Sequence, residues 1–99
     1  MKIITSIFIL FTITLNAYTL DDGLAEMFRG NYDKAKLIYS EICENGNPKG
    51  CQSLGALYVS GEPSTREYKK AIKAFEKSCD GGIEIGCTHL EYWQEFLNK

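Results

Sequence analysis

Four cysteines are the residues of this 99-residue chain whose spacing most clearly predicts chemistry. Cys43 and Cys51 stand eight positions apart, and Cys79 and Cys87 repeat that interval. Four thiols can form two disulfide bonds, in any of three connectivities, or one tetrahedral zinc site. Structural zinc sites usually take their thiolates from closer C-x2-4-C pairs. The spacing therefore favours disulfides and leaves zinc as the alternative.

Few other side chains have the chemistry that catalysis needs. His89 is the single histidine of the sequence, and no partner that would make it a general base can be named. Its expected role is packing or a hydrogen bond in a groove. Ser53 and Ser78 lie in predicted helices without an activating base. The catalytic residues are therefore unknown, and the sequence predicts neither a metal nor a cofactor.

The elements that must position the cysteines follow from an internal repeat with an offset of thirty-six positions. The repeated residues are Tyr32, Lys34, Ala35, Cys43, Gly46, Gly50, Cys51 and Leu54, which return as Tyr68, Lys70, Ala71, Cys79, Gly82, Gly86, Cys87 and Leu90. Periods in the thirties are typical of helical-hairpin arrays. Ala35, Ile38, Tyr39 and Ile42 are spaced by three and four, which places them on one face of a helix.

The segment between each cysteine pair predicts a tight turn between two helices. Gly46 can adopt the positive φ of a helix end, and Pro48 suits the first turn of the next helix. Antiparallel helices joined in this way can bring Cys43 close to Cys51, and Cys79 close to Cys87. We therefore hypothesise these two disulfides, each worth about 2–3 kcal/mol on the chain-entropy model. A pair between the repeats, such as Cys43 with Cys79, would contradict the hypothesis.

The first residues of the chain have the layout of a secretory signal peptide. Lys2 precedes an apolar run over 3–15, and Ala17 offers a small residue for cleavage. We expect residues 1–17 to be removed and 18–99 to form one small secreted or periplasmic domain. After cleavage no stable membrane association is expected. The net charge of −2 without a charge run argues against nucleic acid as a partner.

A resemblance to a known family adds a functional expectation. The segment "LGALYVSGEPSTREYKKAIKAFEKSCDGG" resembles a Sel1-like repeat, a relative of the tetratricopeptide repeat. Together with the cysteine frame and the leader, it is similar to the Helicobacter cysteine-rich protein family. That family implies an exported array that binds penicillin-type compounds and has weak β-lactamase activity. The S-x-x-K, S-D-N and K-T-G motifs of serine β-lactamases do not occur in this sequence, so a hydrolase would rest on resemblance alone.

The resemblance implies an all-α fold, a short α/α superhelical array of about five antiparallel helices. We place one repeat at 21–46, a second at 51–82 and a capping helix at 84–97. In the first repeat, Ala25 aligns with Gly55 of the second. Trp93, Phe96 and Leu97 are expected to pack inward from the capping helix.

The tetratricopeptide relatives also imply, by position, which residues edge a concave groove. These are Glu26, Arg29, Gln52, Ala56, Val59, Thr88, Tyr92 and Glu95. Their short polar, apolar and aromatic groups suit an extended peptide or a peptide-like small molecule, such as a β-lactam or a cell-wall peptide. The alternative is a non-catalytic module that binds another protein.

Overall fold

The computed structural model describes residues 18–99, and within them the chain is all-α, as predicted. Five helices follow one another: α1 (Leu20–Phe28), α2 (Tyr32–Glu44), α3 (Pro48–Tyr58), α4 (Tyr68–Asp80) and α5 (Glu84–Leu97). A short 3-10 helix, Pro63–Thr65, lies in the connection between α3 and α4. The predicted signal peptide at 1–17 lies outside the described residues. None of the helices within 18–99 has the length and apolarity that crossing a bilayer requires.

Local side chains fix where two of the helices begin. Thr19 and Asp22 form a capping box at α1, in which the Asp22 amide donates to Thr19 Oγ1 and the Thr19 amide to Asp22 Oδ2. At α3, the Lys49 amide donates to Asn47 Oδ1 at 3.0 Å, and Pro48 occupies the first turn. Both caps satisfy amide groups that a helix start leaves without partners.

The predicted turns and disulfides are present in the structure. Gly46 and Gly82 end α2 and α4 with φ of 97° and 94°, values that favour glycine. Cys43 is bonded to Cys51 with a Cα–Cα distance of 4.6 Å, and Cys79 to Cys87 with 4.5 Å. The zinc alternative is therefore wrong for these thiols. Two disulfides indicate that the chain occupies an oxidising compartment.

The core lies between consecutive helices, where each helix packs on the next. Ile38, Ala35 and Phe75 are fully buried or nearly so. Two glycines permit the closest approaches: a Cβ on Gly55 would lie 2.6 Å from Phe75, and one on Gly23 would lie 2.6 Å from Tyr39. The alignment of Ala25 with Gly55 was therefore wrong, because it is Gly23 that faces the core aromatic residue of its own repeat.

The last helix packs less completely than the sequence predicted. Trp93 is half-buried against Tyr68, with ring centroids 5.4 Å apart. Phe96 also contacts the Tyr68 ring, but it is 45% exposed, and Leu97 is 42% exposed. The inward packing expected for these two residues was therefore only partly correct.

Candidate functional site

Three of the predicted groove residues line one cavity between α3 and α5. Ala56 lies on α3, Val59 is the C-cap of that helix and Tyr92 lies on α5, and the cavity has a volume of about 350 Å³. Phe75, His89 and Trp93 complete its wall. We call this space the α3–α5 cavity. Most of its wall is aliphatic or aromatic, which is typical of sites that bind the side chain of a ligand.

Ring contacts hold the aromatic wall of the α3–α5 cavity in place. The His89 ring meets the buried Phe75 ring edge-on, with centroids 4.9 Å apart. Tyr92 and Trp93 are nearly perpendicular at 4.8 Å. Aromatic pairs in such geometry add about 0.5–1.5 kcal/mol beyond the area they bury. The wall is therefore largely formed before any ligand arrives.

A chain of hydrogen bonds lies behind this wall and joins three helices. The Ser78 hydroxyl on α4 donates to Gln52 Oε1 on α3 at 3.1 Å. The Gln52 amide nitrogen lies 3.0 Å from His89 Nδ1 on α5. We call these three residues the hydrogen-bond chain. It places Gln52, a predicted groove residue, behind the cavity rather than at its edge.

A second cavity of about 520 Å³ shares Ala56 with the first. It lies where α1 and α2 face the end of α3 and the connection to α4, and we call it the loop cavity. Its lining residues are Met27, Tyr32, Lys36, Ala56, Leu57, Tyr58, Ser60, Gly61, Thr65 and Glu67. Lys36 Nζ lies 3.9 Å from Glu67 Oε2 and 6.0 Å from the centre of the Tyr58 ring. Together the two cavities give α3 an interrupted groove on either side of Ala56.

Glu26 and Arg29, the groove residues predicted at the end of α1, contact each other. Glu26 is buried and accepts hydrogen bonds from Asn31 Nδ2 and Arg29 Nη1, each at 2.8 Å. The Asn31 hydrogen bond is the largest influence lowering the pKa of Glu26, Arg29 and Lys34 lower it further, and burial opposes them. These contacts connect α1 to the start of α2.

The remaining predicted positions, Thr88 and Glu95, lie exposed on α5, each about one turn from Tyr92 along the helix. The Thr88 hydroxyl donates to the Glu84 carbonyl at 3.5 Å. Neither residue is among those that line the α3–α5 cavity. Their part in binding stays a prediction.

The residues with nucleophilic or metal-binding side chains have other partners in the described part of the chain. Ser78 is fully buried and donates to Gln52, so its hydroxyl contacts no base. All four cysteines are in disulfides, so none is a thiolate nucleophile. Within 18–99 no three His, Cys, Asp or Glu residues cluster as metal ligands would.

Sequence reasoning missed the partners of His89 and the aromatic wall. Gln52 follows Cys51 on α3 and Ser78 precedes Cys79 on α4, and the packing of these two helices brings the residues within hydrogen-bond distance. No disulfide joins α3 to α4, so the cysteine pattern did not predict this contact. The roles of Phe75 and Trp93 depend on the rotation of α4 and α5, which periodicity does not determine.

The fold is a short, disulfide-crosslinked, all-α repeat-like array with two adjoining cavities. No protein-family model matches the chain, and no solved structure matches it. Among curated proteins it is similar to cytochrome c oxidase assembly factor 7 of Homo sapiens, with 36% identity over 76 residues. The match covers 73% of this chain and 32% of the relative, so the chain spans about a third of that protein's length.

These comparisons overturn the expected family. The assignment to Sel1-like repeats and to the Helicobacter cysteine-rich proteins was wrong, because no family model matches and the distant likeness found is to an assembly factor. The motif that suggested it has a more general cause. A glycine is needed at Gly55 because Phe75 packs closely against it. A pair of cysteines can join two helices across a tight turn, as Cys43 and Cys51 do. Penicillin binding and β-lactamase activity rested on that resemblance and have no other support.

Proposed function

We propose that this chain is a recognition module that binds an extended peptide segment of another protein in the groove along α3 and α5. The observation that carries the proposal is the α3–α5 cavity, whose wall combines aliphatic, aromatic and imidazole groups. A cavity of about 350 Å³ accommodates a large apolar side chain. The loop cavity beyond Ala56 offers space for a second side chain of the same segment.

The exposed face of α5 supports a protein as the source of the peptide. Ile85, Tyr92, Phe96 and Leu97 are between 42% and 59% exposed on this one helix. Contiguous exposed apolar side chains commonly mark surfaces that contact other proteins. Tyrosine and tryptophan are also enriched among residues that dominate binding energy.

The disulfides favour such binding by keeping the groove in one shape. The Cys79–Cys87 bond joins the end of α4 to the start of α5. Helix α4 contributes Phe75 to the wall, and α5 contributes His89 and Tyr92. Cys43–Cys51 joins α2 to α3 in the same way. A preformed groove loses little conformational entropy when a ligand enters, so weak individual contacts can suffice.

The likeness to an assembly factor fits a role in binding proteins. We carry over from that relative the general task of contacting protein chains. For this chain we further propose secretion or transfer to a periplasmic space through the segment 1–17, which agrees with the oxidised state of its cysteines.

A peptide-display experiment on the oxidised protein tests the proposal. We expect enrichment of peptides with an apolar anchor residue, and a loss of affinity of more than tenfold in Ala56→Arg, because Ala56 lies between the two cavities. Glu76→Arg, at an exposed position of α4 outside both cavities, is the matched control and is expected to bind normally. Equal binding by both variants, or no enrichment at all, would refute the proposal.

A further inference from the structure

Ser78 is an unusual residue for the place it occupies. Its counterpart in the first repeat, thirty-six positions earlier, is the buried Ile42. The two residues have the same packing environment: Gly50 lies against Ile42, and Gly86 lies against Ser78. The second repeat therefore has a hydroxyl where the first has an aliphatic side chain. A fully buried hydroxyl is unfavourable unless a hydrogen bond satisfies it.

The hydrogen-bond chain explains the hydroxyl and also determines the state of His89. Because Ser78 donates to Gln52 Oε1, the Gln52 amide presents its N–H group to the imidazole. Nδ1 of His89 must then accept, and the neutral ring carries its proton on Nε2. Each group in the chain has one defined role, which is how buried polar networks specify one arrangement.

The proton on Nε2 is the donor that His89 retains for a ligand. His89 lines that cavity, and its ring is held against Phe75 at a centroid distance of 4.9 Å. Within 18–99, the imidazole forms its hydrogen bond through Nδ1. Nε2–H is therefore the polar group that the imidazole presents beside a wall of apolar and aromatic side chains. The complementary ligand atom is a hydrogen-bond acceptor next to an apolar side chain.

The charge of α5 indicates whether the acceptor on the ligand is neutral or anionic. Helix α5 carries Glu84, Glu91 and Glu95 and has no lysine or arginine. These carboxylates give α5 a negative charge, which repels an anionic ligand and tolerates a neutral one. A backbone carbonyl of an extended peptide meets both requirements, since it accepts a hydrogen bond without a net charge.

We propose that His89, held in its Nε2–H tautomer by Gln52 and Ser78, anchors a backbone carbonyl of a peptide whose apolar side chain enters the α3–α5 cavity. This inference rests on the proposed function and specifies how the same site reads its ligand. His89 is the binding residue, and Gln52 and Ser78 are positioning residues that act through it.

The first test measures the tautomer of His89 in the protein without a ligand. The imidazole signals are unambiguous because the chain has one histidine. A long-range proton–nitrogen NMR spectrum of the oxidised protein, at a pH where imidazole is neutral, is expected to show protonated Nε2 and unprotonated Nδ1. Ser78→Ala and Gln52→Leu are expected to give a mixture of both tautomers while the helical circular dichroism is retained. An Nδ1–H tautomer in the unaltered protein would overturn the inference, since it requires Gln52 to accept from the ring. An unchanged Nε2–H tautomer in both variants would overturn the positioning roles.

The second test uses the single tryptophan, Trp93, which lines the same cavity. The probe is the blocked peptide acetyl-Ala-Leu-Ala-amide, which has carbonyls, one aliphatic side chain and no aromatic group. We expect a saturable change in Trp93 fluorescence, and about five- to tenfold weaker binding in His89→Phe, the effect of losing one hydrogen bond. The same peptide with a free carboxyl end is expected to bind no better.

The outcomes separate the anchor from the groove. Equal affinity of His89→Phe and the unaltered protein would overturn the carbonyl anchor while leaving the cavity as a binding site. Tighter binding of the free-carboxylate peptide would overturn the choice of a neutral acceptor. Absence of any Trp93 response in the unaltered protein would overturn both the anchor and the proposed function.

Discussion

Replacing each disulfide by a pair of alanines is expected to destabilise the chain to different extents, although the two loops are the same size. Both bonds join residues eight positions apart. On the chain-entropy model, a loop of this length contributes about 2.5 kcal/mol at 25 °C. The loss of crosslinking alone therefore predicts equal effects for the two double variants.

Burial adds a second contribution at the first disulfide. Cys43 and Cys51 belong to the hydrophobic core and are 6% and 3% exposed, whereas Cys79 and Cys87 are half-buried. Removing two buried sulfur atoms leaves a cavity that costs about 1–2 kcal/mol more. We expect Cys43→Ala with Cys51→Ala to lose about 3.5–4.5 kcal/mol and the other pair about 2.5 kcal/mol.

Urea and thermal unfolding, followed by far-ultraviolet circular dichroism, measure these losses. For a domain of this size, 1 kcal/mol corresponds to a shift in Tm of about 4–8 °C, so the less buried pair is expected to lower Tm by about 10–20 °C. The reduced, unaltered protein is the control, because it keeps every side chain while losing both crosslinks. Its combined loss, about 5 kcal/mol from entropy alone, approaches the whole stability of a small domain.

Two results would refute this reasoning. A larger loss at Cys79–Cys87 than at Cys43–Cys51 would contradict the argument from burial. A loss below about 1 kcal/mol at either pair would contradict the argument from loop entropy, because the denatured chain would then gain little freedom when the bond is absent.

Two further predictions concern packing and pH. Gly55→Ala is expected to destabilise the protein by about 1–2 kcal/mol despite the better helix propensity of alanine, because the new Cβ would lie 2.6 Å from Phe75 Cε1; unchanged or raised stability in urea would contradict this. The pKa of Glu26 in the folded protein lies below its ordinary value of 4.5, chiefly because Asn31 donates a hydrogen bond to the carboxylate. The ionised carboxylate therefore stabilises the fold above pH 4.5, and this stabilisation is lost as the pH falls through the folded-state pKa. Glu26→Gln is therefore expected to flatten the decline in stability between about pH 5 and about pH 3, and an equally steep decline in this variant would contradict the assignment.

Much of the fold follows from features that act over short sequence distances. The thirty-six-residue period, the turn glycines Gly46 and Gly82 and the two cysteine pairs are local patterns, and each has the structure that was expected. The first repeat shows the limit of alignment. Its connection between helices is shorter than the one in the second repeat, so the register of α1 depends on packing, and Gly23 rather than Ala25 meets the core.

The site was less predictable because its geometry depends on how whole helices rotate against one another. Ala56, Val59 and Tyr92 were expected along the groove and line a common cavity. Glu26 was expected at the edge of the groove, but its carboxylate accepts a hydrogen bond from Asn31. The Ser78–Gln52–His89 connection spans three helices, and no pattern within one helix predicts it.

Peptide binding in the α3–α5 cavity is tested most directly by an amide chemical-shift map of the oxidised protein during titration with a display-selected peptide. We expect the largest shifts at Ala56, Val59, His89, Tyr92 and Trp93, and smaller shifts in Ala56→Arg. Shifts centred instead on the lysine-lined cleft between α2 and α4, at Lys70, Lys73 and Lys77, would contradict it.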